Sequence, residues 1–206
     1  MKRSRSSGAW LNEHVNDTYV QQAKAAGYRS RAAYKLMEID DKDGLIRAGD
    51  VIVDLGATPG GWSQVAARRL QGKGRVIAVD LLEMEALRDV SFLHGDFREE
   101  QVLLALEELL AGDRPGLVLS DMSPNISGIA ISDQARAMHL AELALDFARN
   151  WLQPDGAFLV KIFQGHGFDA FLQEMRQTFK TVSSRKPDAS RDRSPEVYLL
   201  GKALKT

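Results

Sequence analysis

From residue 51 onwards, short runs of β-branched and other apolar residues alternate with longer stretches in which apolar residues recur at helical spacing. The short runs predict strands over residues 51–55, 75–80, 90–94, 117–121, 157–163, 181–185 and 197–202. The longer stretches predict helices over residues 17–26, 31–40, 60–70, 99–110, 132–152 and 168–179. Gly27 is expected to end the first helix, and Ser30 to cap the second.

This alternation is typical of an α/β fold, with a doubly wound, mostly parallel seven-stranded sheet between helices. The last two strands are separated by only about 11 residues without a helical pattern, which is too short for the usual parallel crossover. We therefore expect an antiparallel C-terminal strand. In such sheets the ligand lies beyond the carboxyl ends of the strands, so residues at those ends are the first candidates for a functional site.

The composition bounds the function without naming it. A chain of 206 residues with 44% hydrophobic and 27% charged residues predicts one domain over residues 1–206, with a basic N-terminal extension at about 1–30. The absence of cysteine excludes disulfides, thiolate nucleophiles and cysteine-bound zinc. No apolar run is long enough for a secretory signal or a membrane span, so a cytoplasmic location is expected.

The net charge of −1 conceals two basic segments at opposite ends of the chain. Residues 1–35 hold seven Lys and Arg residues against two acidic ones, and residues 180–193 hold five against two. If the fold brings both segments to one face, that face can bind a phosphate backbone. Basic termini are also common as merely solvated segments, so charge alone leaves both interpretations open.

The strongest candidate for a ligand site follows the first strand, where residues 54–61 are Asp-Leu-Gly-Ala-Thr-Pro-Gly-Gly. Its glycines are Gly56, Gly60 and Gly61. They permit a tight turn and a close approach of a ligand to the backbone. Their spacing differs from the dinucleotide motif, and Pro59 removes an amide that a pyrophosphate would use. Asp54 beside this loop disfavours a phosphate and tolerates a cation.

Two further carboxylates follow the second and third predicted strands. Asp80 is placed to accept hydrogen bonds from both hydroxyls of an adenosine ribose, and Asp96 from an exocyclic adenine amine. Together with the glycine loop, they indicate an adenosine ligand without a diphosphate. Trp62, directly after the loop, either packs in the core or shapes the pocket for the cationic end of that ligand.

Three segments resemble the FtsJ-type RNA 2′-O-ribose methyltransferases: residues 54–64 with Pro-Gly-Gly-Trp, residues 120–125 with Asp-Met-Ser-Pro, and residues 159–163 with Leu-Val-Lys-Ile-Phe. The resemblance runs from about Trp10 to the C-terminus and is strongest to the bacterial members that methylate a uridine of large-subunit ribosomal RNA. Thr58 departs from the family pattern, which has a small apolar residue there. The resemblance implies a Rossmann-like class I methyltransferase that uses S-adenosylmethionine.

The family's catalytic Lys-Asp-Lys-Glu tetrad maps by motif onto Lys35, Asp121, Lys161 and Glu196. A ribose hydroxyl is a poor nucleophile, so methyl transfer requires removal of its proton or stabilisation of the charge developing on its oxygen. A lysine inside an apolar strand is costly to bury unless it is paired or functional, which singles out Lys161. Two lysines at one site lower each other's pKa, as a base near neutrality requires, so we expect Lys161 to act as general base. Asp121 is expected closest to the methyl donor, orienting Lys161, and Lys35 and Glu196 complete the network.

Three alternatives remain to be weighed. A base-amine methyltransferase usually carries Asn/Asp-Pro-Pro-aromatic after the fourth strand, where residues 121–124 are Asp-Met-Ser-Pro. A nicotinamide dehydrogenase is disfavoured by the glycine spacing. A non-catalytic RNA-binding or ribosome-assembly protein on the same scaffold is disfavoured by the intact tetrad.

The resemblance also implies ribosomal RNA as the partner. Since the basic segments are short, we expect an assembled or assembling large subunit to supply part of the binding surface. The scattered histidines lack metal-ligand spacing, so no metal is expected. A chain of this length can bury its core without a partner, which favours a monomer.

Overall fold

The computed structural model describes residues 17–191 and 193–205, so the predicted basic extension at 1–30 lies largely outside the described residues. The strands are β1 (Val51–Leu55), β2 (Arg75–Asp80), β3 (Val90–His94), β4 (Leu117–Ser120), β5 (Ala157–Phe163), β6 (Phe179–Arg185) and β7 (Glu196–Leu204). The helices are α1 (Thr18–Ala25), α2 (Ala32–Asp43), α3 (Gly61–Leu70), α4 (Glu100–Leu110), α5 (Ala130–Trp151) and α6 (Phe168–Thr178).

The strands form one seven-stranded sheet in the order β3-β2-β1-β4-β5-β7-β6. Neighbouring strands are parallel except at β7, which pairs antiparallel with both β5 and β6. This confirms the predicted fold, including the antiparallel C-terminal strand. The strand order reverses between β1 and β4, which is where a doubly wound sheet opens its ligand crevice.

Each face of the sheet has its own apolar core, because successive strand residues point to opposite sides. On one face Ile52 packs with Leu36 of α2 and Trp62 of α3. On the other face Val53 packs against a layer that includes Leu145 of α5, together with residues of α4 and α6. Strands covered on both faces have continuous apolar runs. For this reason the predicted bounds of β1, β2 and β5 agree with the structure to the residue, and those of the edge strand β3 agree as well.

The start of α2 corrects one prediction. Ser30 does not cap this helix: Arg31 is the N-cap residue, and the Ser30 hydroxyl has no hydrogen-bond partner among the described residues. The hydroxyl instead packs against Gly61 at the start of α3. The helix also runs three residues further than expected, to Asp43, where Gly44 takes a left-handed conformation with φ of 60°. The other boundaries differ from the prediction by at most two residues.

Candidate active site

Four predicted site residues meet at one edge of the sheet. Strands β4 and β5 end there, which brings Asp121 and Lys161 side by side. Because β7 runs antiparallel, it begins at the same edge, with Glu196 opposite Phe163 of β5. Lys35 reaches this edge from α2, which covers one face of the sheet. The strand order, together with the position of α2, thus brings residues that are far apart in sequence to one site.

The tetrad consists of two lysine–carboxylate pairs. Lys161 Nζ lies 3.0 Å from Asp121 Oδ1 and donates to the backbone oxygen of Asp121 at 2.7 Å. Lys35 Nζ lies 2.5 Å from Glu196 Oε1. The Lys161 side chain is only 8% exposed, and the Asp121 carboxylate supplies the partner that an amine in such a place requires. All four predicted tetrad residues are therefore brought together.

Tyr198 connects the two pairs, and sequence analysis missed it. Its hydroxyl donates to Asp121 Oδ1 at 3.3 Å, and Lys35 Nζ lies 5.8 Å from the centre of its ring. Burial, with the charges of Asp121 and Glu196 adding to it, raises the pKa of Tyr198 well above its usual range, so the phenol stays a neutral donor. The available signal was its position two residues after Glu196, on the same face of β7.

Glu196 is held as a carboxylate. Burial acts to raise its pKa, but the charge and hydrogen bond of Lys35, with the charge of Lys161, outweigh burial and lower the pKa. An ionised Glu196 fixes the Lys35 amine at the site. Lysine and carboxylate thus stabilise each other in a place where either one alone would be costly.

The backbone leading into β7 is clamped by a residue that sequence analysis also missed. Lys186 Nζ donates to the backbone oxygens of Ser194 at 2.7 Å and Glu196 at 2.6 Å. Between them, the oxygen of Pro195 accepts from Gln164 N at 2.9 Å. Three consecutive carbonyl groups are therefore held from outside the segment, which fixes the start of β7 and with it Glu196.

A basic cleft of about 450 Å³ opens beside the tetrad. Its lining residues are Arg31, Lys35, Arg191, Arg193, Ser194 and Glu196. The structure thus brings the described parts of the two basic segments to one face. Of the two interpretations of the charge pattern, this arrangement fits a phosphate-binding face rather than two separate solvated termini. Asp17 ties them together, because its carboxylate pairs with Arg31 and lies 3.6 Å from Arg191 Nη2.

The glycine loop between β1 and α3 needs its glycines. Gly56 and Gly60 have φ of 77° and 104°, in the left-handed region that favours glycine. A Cβ atom on Gly56 would lie 2.8 Å from the Met122 backbone, so the loop packs directly against the segment after β4. Thr58, the departure from the family pattern, donates its backbone N–H to Asp80 Oδ2 at 2.8 Å and its hydroxyl to Leu82 O at 3.0 Å.

Asp54 is fully buried at the head of this loop. Ser63 Oγ donates to its Oδ2 at 2.6 Å, but its Oδ1 has no hydrogen-bond partner among the described residues. Burial raises the pKa of Asp54 to about 7, and the charges of Asp121 and Asp80 act in the same direction. A buried carboxyl oxygen of this kind calls for a donor or a cation. It therefore fits a ligand with a cationic end, as S-adenosylmethionine has.

Asp80 ends β2 and Asp96 follows β3 at the same edge, but both already have partners. The two oxygens of Asp80 accept from the backbone N–H groups of Thr58 and Leu82, each at 2.8 Å. Asp96 forms an ion pair with Arg98 at 2.5 Å, and this hydrogen bonding, against a smaller effect of burial, lowers its pKa. Each carboxylate keeps further acceptor positions, so the predicted bonds to ribose and adenine stay predictions.

Trp62 lies away from solvent and packs towards the tetrad. It is 2% exposed, its indole N–H donates to Ala32 O at 2.8 Å, and its ring lies 5.6 Å from that of Tyr198. These contacts join α3 to α2 and β7. The packing role is thus observed, while a contact with the cofactor stays a prediction.

Residues 17–191 and 193–205 contain no group of three or more His, Cys, Asp or Glu side chains arranged to hold a metal ion. In that same part of the chain, none of the helices is both long and apolar enough to span a membrane.

Comparison with known proteins identifies the family. The FtsJ-like methyltransferase model matches residues 28–204. A ribosomal RNA large subunit methyltransferase E from Dechloromonas aromatica is 64% identical over 205 residues, covering 100% of each chain. Its namesake from Methylobacillus flagellatus is 62% identical, covering 98% of this chain and 97% of its own. A solved ribosomal RNA methyltransferase from Plasmodium falciparum has a TM-score of 0.78 at 28% identity, covering 86% of this chain and 98% of its own. The chain therefore belongs to the FtsJ-like methyltransferase family.

Proposed function

We propose that this protein transfers a methyl group from S-adenosylmethionine to a ribose 2′-hydroxyl of large-subunit (23S) ribosomal RNA, at a uridine. The observation that carries the proposal is the meeting of Lys35, Asp121, Lys161 and Glu196 at one edge of the sheet, with each lysine within 3.0 Å of a carboxylate. The names of the relatives that cover the whole chain support the same substrate class.

The proposed reaction depends on the placement of one amine. When bound, S-adenosylmethionine supplies a methyl group on a positively charged sulfur, which is an electrophile. Lys161 is the group that takes the proton of the 2′-hydroxyl as the hydroxyl oxygen becomes a nucleophile. Asp121 fixes the position of this amine through its carboxylate and its backbone oxygen. Most of the rate enhancement then comes from positioning.

Lys35 and Glu196 have a supporting part in this proposal. Their pair places a second cation near the hydroxyl, where negative charge develops on oxygen during the transfer. Glu196 holds Lys35, and Tyr198 joins both to Asp121. In this proposal the cofactor is held by three carboxylates, those of Asp54, Asp80 and Asp96, and Asp121 lies nearest the methyl donor. The backbone at Gly56, Gly60 and Gly61 and the side chain of Trp62 complete the cofactor site.

The same geometry bears on the alternatives. A base-amine methyltransferase needs no lysine paired with the carboxylate after β4, and here that pair is present and half-buried. A non-catalytic scaffold protein has no reason to keep two half-buried lysine–carboxylate pairs, because partial burial of each charge is costly. The dehydrogenase is set aside by the family assignment.

We propose further that the substrate is the assembled or assembling large subunit and that the enzyme acts as a monomer in the cytoplasm. The basic cleft has a volume of about 450 Å³, which suits a few nucleotides rather than an extended RNA surface. A preformed particle would supply the remaining contacts. The two apolar cores lie within this chain, which supports a monomer.

The test is methyl transfer from labelled S-adenosylmethionine to large subunits that lack their native modifications, followed by digestion to locate the label. Lys161→Ala is compared with wild type and with Lys73→Ala, an exposed lysine in the turn before β2, at the opposite edge of the sheet. We expect ribose label with wild type and Lys73→Ala, and a loss of at least about a hundredfold with Lys161→Ala at unchanged cofactor affinity. Label on a base, or full activity in Lys161→Ala, would refute the proposal.

A further inference from the structure

Exposed large apolar side chains are concentrated at the edge of the sheet that carries the tetrad. Among the described residues they are Leu81, Leu82, Leu104, Ile126, Ile129 and Ile131. Leu81 and Leu82 directly follow β2, and the three isoleucines lie between β4 and the first turn of α5. We call residues 122–131 the isoleucine loop. Ile126 and Ile131 are 85% and 84% exposed, so core packing does not explain them.

The isoleucine loop adjoins the tetrad. It begins directly after Asp121, and its first residue, Met122, packs against Gly56 of the glycine loop. At its other end, Gln134 of α5 donates to the backbone oxygens of Phe163 at 3.2 Å and His166 at 3.1 Å. Phe163 is the last residue of β5, two positions after Lys161. The loop therefore borders the catalytic edge on the side of β4 and β5.

The loop has a defined conformation. The carboxylate of Asp133 accepts from Ser127 N at 2.9 Å, from Ser127 Oγ at 2.7 Å and from Gly128 N at 3.0 Å. These three hydrogen bonds tie the middle of the loop to the start of α5. The isoleucines on either side of this anchor are thus presented in fixed positions to a ligand, which reduces the entropy that binding has to overcome.

The chemistry of the loop is complementary to that of the basic cleft. Between Asp121 and Asp133 the sequence has no charged residue, although 27% of the whole chain is charged. The basic cleft lies on the face of the sheet covered by α2, whereas α5 packs on the opposite face. The tetrad stands between an uncharged apolar surface and an arginine-rich one. A nucleotide strand has the same two components, apolar base faces and a charged backbone.

We infer that the isoleucine loop is the surface on which unpaired bases of the substrate RNA pack, while the basic cleft holds the phosphates of the same strand. This inference rests on the proposed function, since it places the target ribose at the tetrad. A single-stranded target presents unstacked bases beside its ribose, and those bases need an apolar surface to pack on.

Site-specific crosslinking tests the inference directly. Ile131→p-benzoylphenylalanine is bound to unmodified large subunits with S-adenosylmethionine and irradiated. Leu104→p-benzoylphenylalanine, on α4 and 53% exposed in the parent, is the matched control. We expect crosslinks from position 131 to ribosomal RNA near the methylated nucleotide, well above those from position 104. Crosslinks to a ribosomal protein instead, or none above the control, would overturn it.

Kinetics separate this contact from a cofactor contact. Ile126→Ser with Ile131→Ser is expected to raise KM for the subunit about tenfold, from the lost burial of two apolar side chains, with unchanged S-adenosylmethionine affinity by calorimetry. Leu104→Ser is expected to leave both unchanged. Weaker cofactor binding, or an unaltered KM, contradicts the inference. Failure of the proposed function would give a different result: in the methyl-transfer assay, wild-type enzyme would label a base or transfer no label.

Discussion

At the scale of single residues, the site is defined by how each buried charge is compensated. Lys161 and Glu196 each have an oppositely charged partner within 3.0 Å, and the Lys161 amine donates a further hydrogen bond to the backbone oxygen of Asp121. Asp54 differs, since its only side-chain donor among the described residues is the Ser63 hydroxyl, and its charged neighbours Asp80 and Asp121 are also acidic. No described side chain therefore balances its charge, which is consistent with the cofactor role proposed for it.

This difference predicts a pH dependence of stability. The pKa of Asp54 is about 7 in the folded protein and near 3.8 when unfolded. Between these values the folded state holds more protons than the unfolded state, so the free energy of unfolding falls as pH rises. From about pH 5 to about pH 8, wild type should lose about 2–3 kcal/mol relative to Asp54→Asn, which has no charge to bury. Urea unfolding of both proteins across this range measures the difference.

Comparison with Asp155→Asn isolates the burial effect, because Asp155 is 77% exposed. That variant should follow wild type at every pH. A constant difference between wild type and Asp54→Asn would show that the Asp54 carboxyl does not titrate between these pH values. Added S-adenosylmethionine should reduce the loss at high pH, since a nearby cation favours the charged carboxylate.

At the scale of elements, helices α2 and α3 are tightly packed where α3 begins. Helix α3 begins at Gly61, and a Cβ atom there would overlap the Ser30 hydroxyl just before α2. That hydroxyl has no hydrogen-bond partner among the described residues, so it contributes volume rather than bonding. The contact matters for function because α2 carries Lys35 and α3 follows the glycine loop.

A double-mutant cycle tests this contact. Gly61→Ala should destabilise the protein by roughly 1–2 kcal/mol through overpacking, after the helix preference of alanine is subtracted. Ser30→Ala alone should be nearly neutral, because no hydrogen bond among the described residues is lost. The double variant should regain wild-type stability in urea unfolding, since the remaining Ser30 Cβ is 3.6 Å away. Additive effects would show that the hydroxyl is not what excludes alanine.

The same contact shows where sequence patterns stop being informative. The buried parallel strands β1, β2 and β5 were predictable to the residue, and β4 to within one residue, because burial on both faces requires continuous apolar runs. A serine before a helix normally indicates an N-cap, but here packing against another helix takes precedence. Lys161 stood out as a lysine in an apolar strand, and Lys35 and Glu196 were found only through the family motif. Tyr198 and Lys186 were missed, because their roles depend on pairing between β5, β6 and β7.

At the scale of the whole molecule, the chain has a small net charge, but the fold concentrates basic side chains on one face. Arg31 precedes α2, while Arg191 and Arg193 lie between β6 and β7, yet all three line one cleft. The net charge is only −1, so long-range attraction of the whole chain to RNA is small. In the proposed function, RNA binding therefore depends on the local cleft, where phosphates would be contacted at short range.

This local dependence can be measured through salt. Arg193→Ala should weaken binding to the RNA substrate several-fold and reduce the slope of log affinity against log salt concentration by about 1, as expected when one phosphate contact is lost. Arg88→Ala is the matched control, because Arg88 is 95% exposed and precedes β3 far from the cleft along the sheet. It should leave the slope unchanged, and neither variant should alter cofactor affinity.

An unchanged slope in Arg193→Ala would mean that the cleft does not contact the RNA backbone. An equal reduction of the slope in both variants would mean that RNA binding depends on the overall charge of the protein. That result would contradict the proposed arrangement, with phosphates on one side of the tetrad and bases on the other.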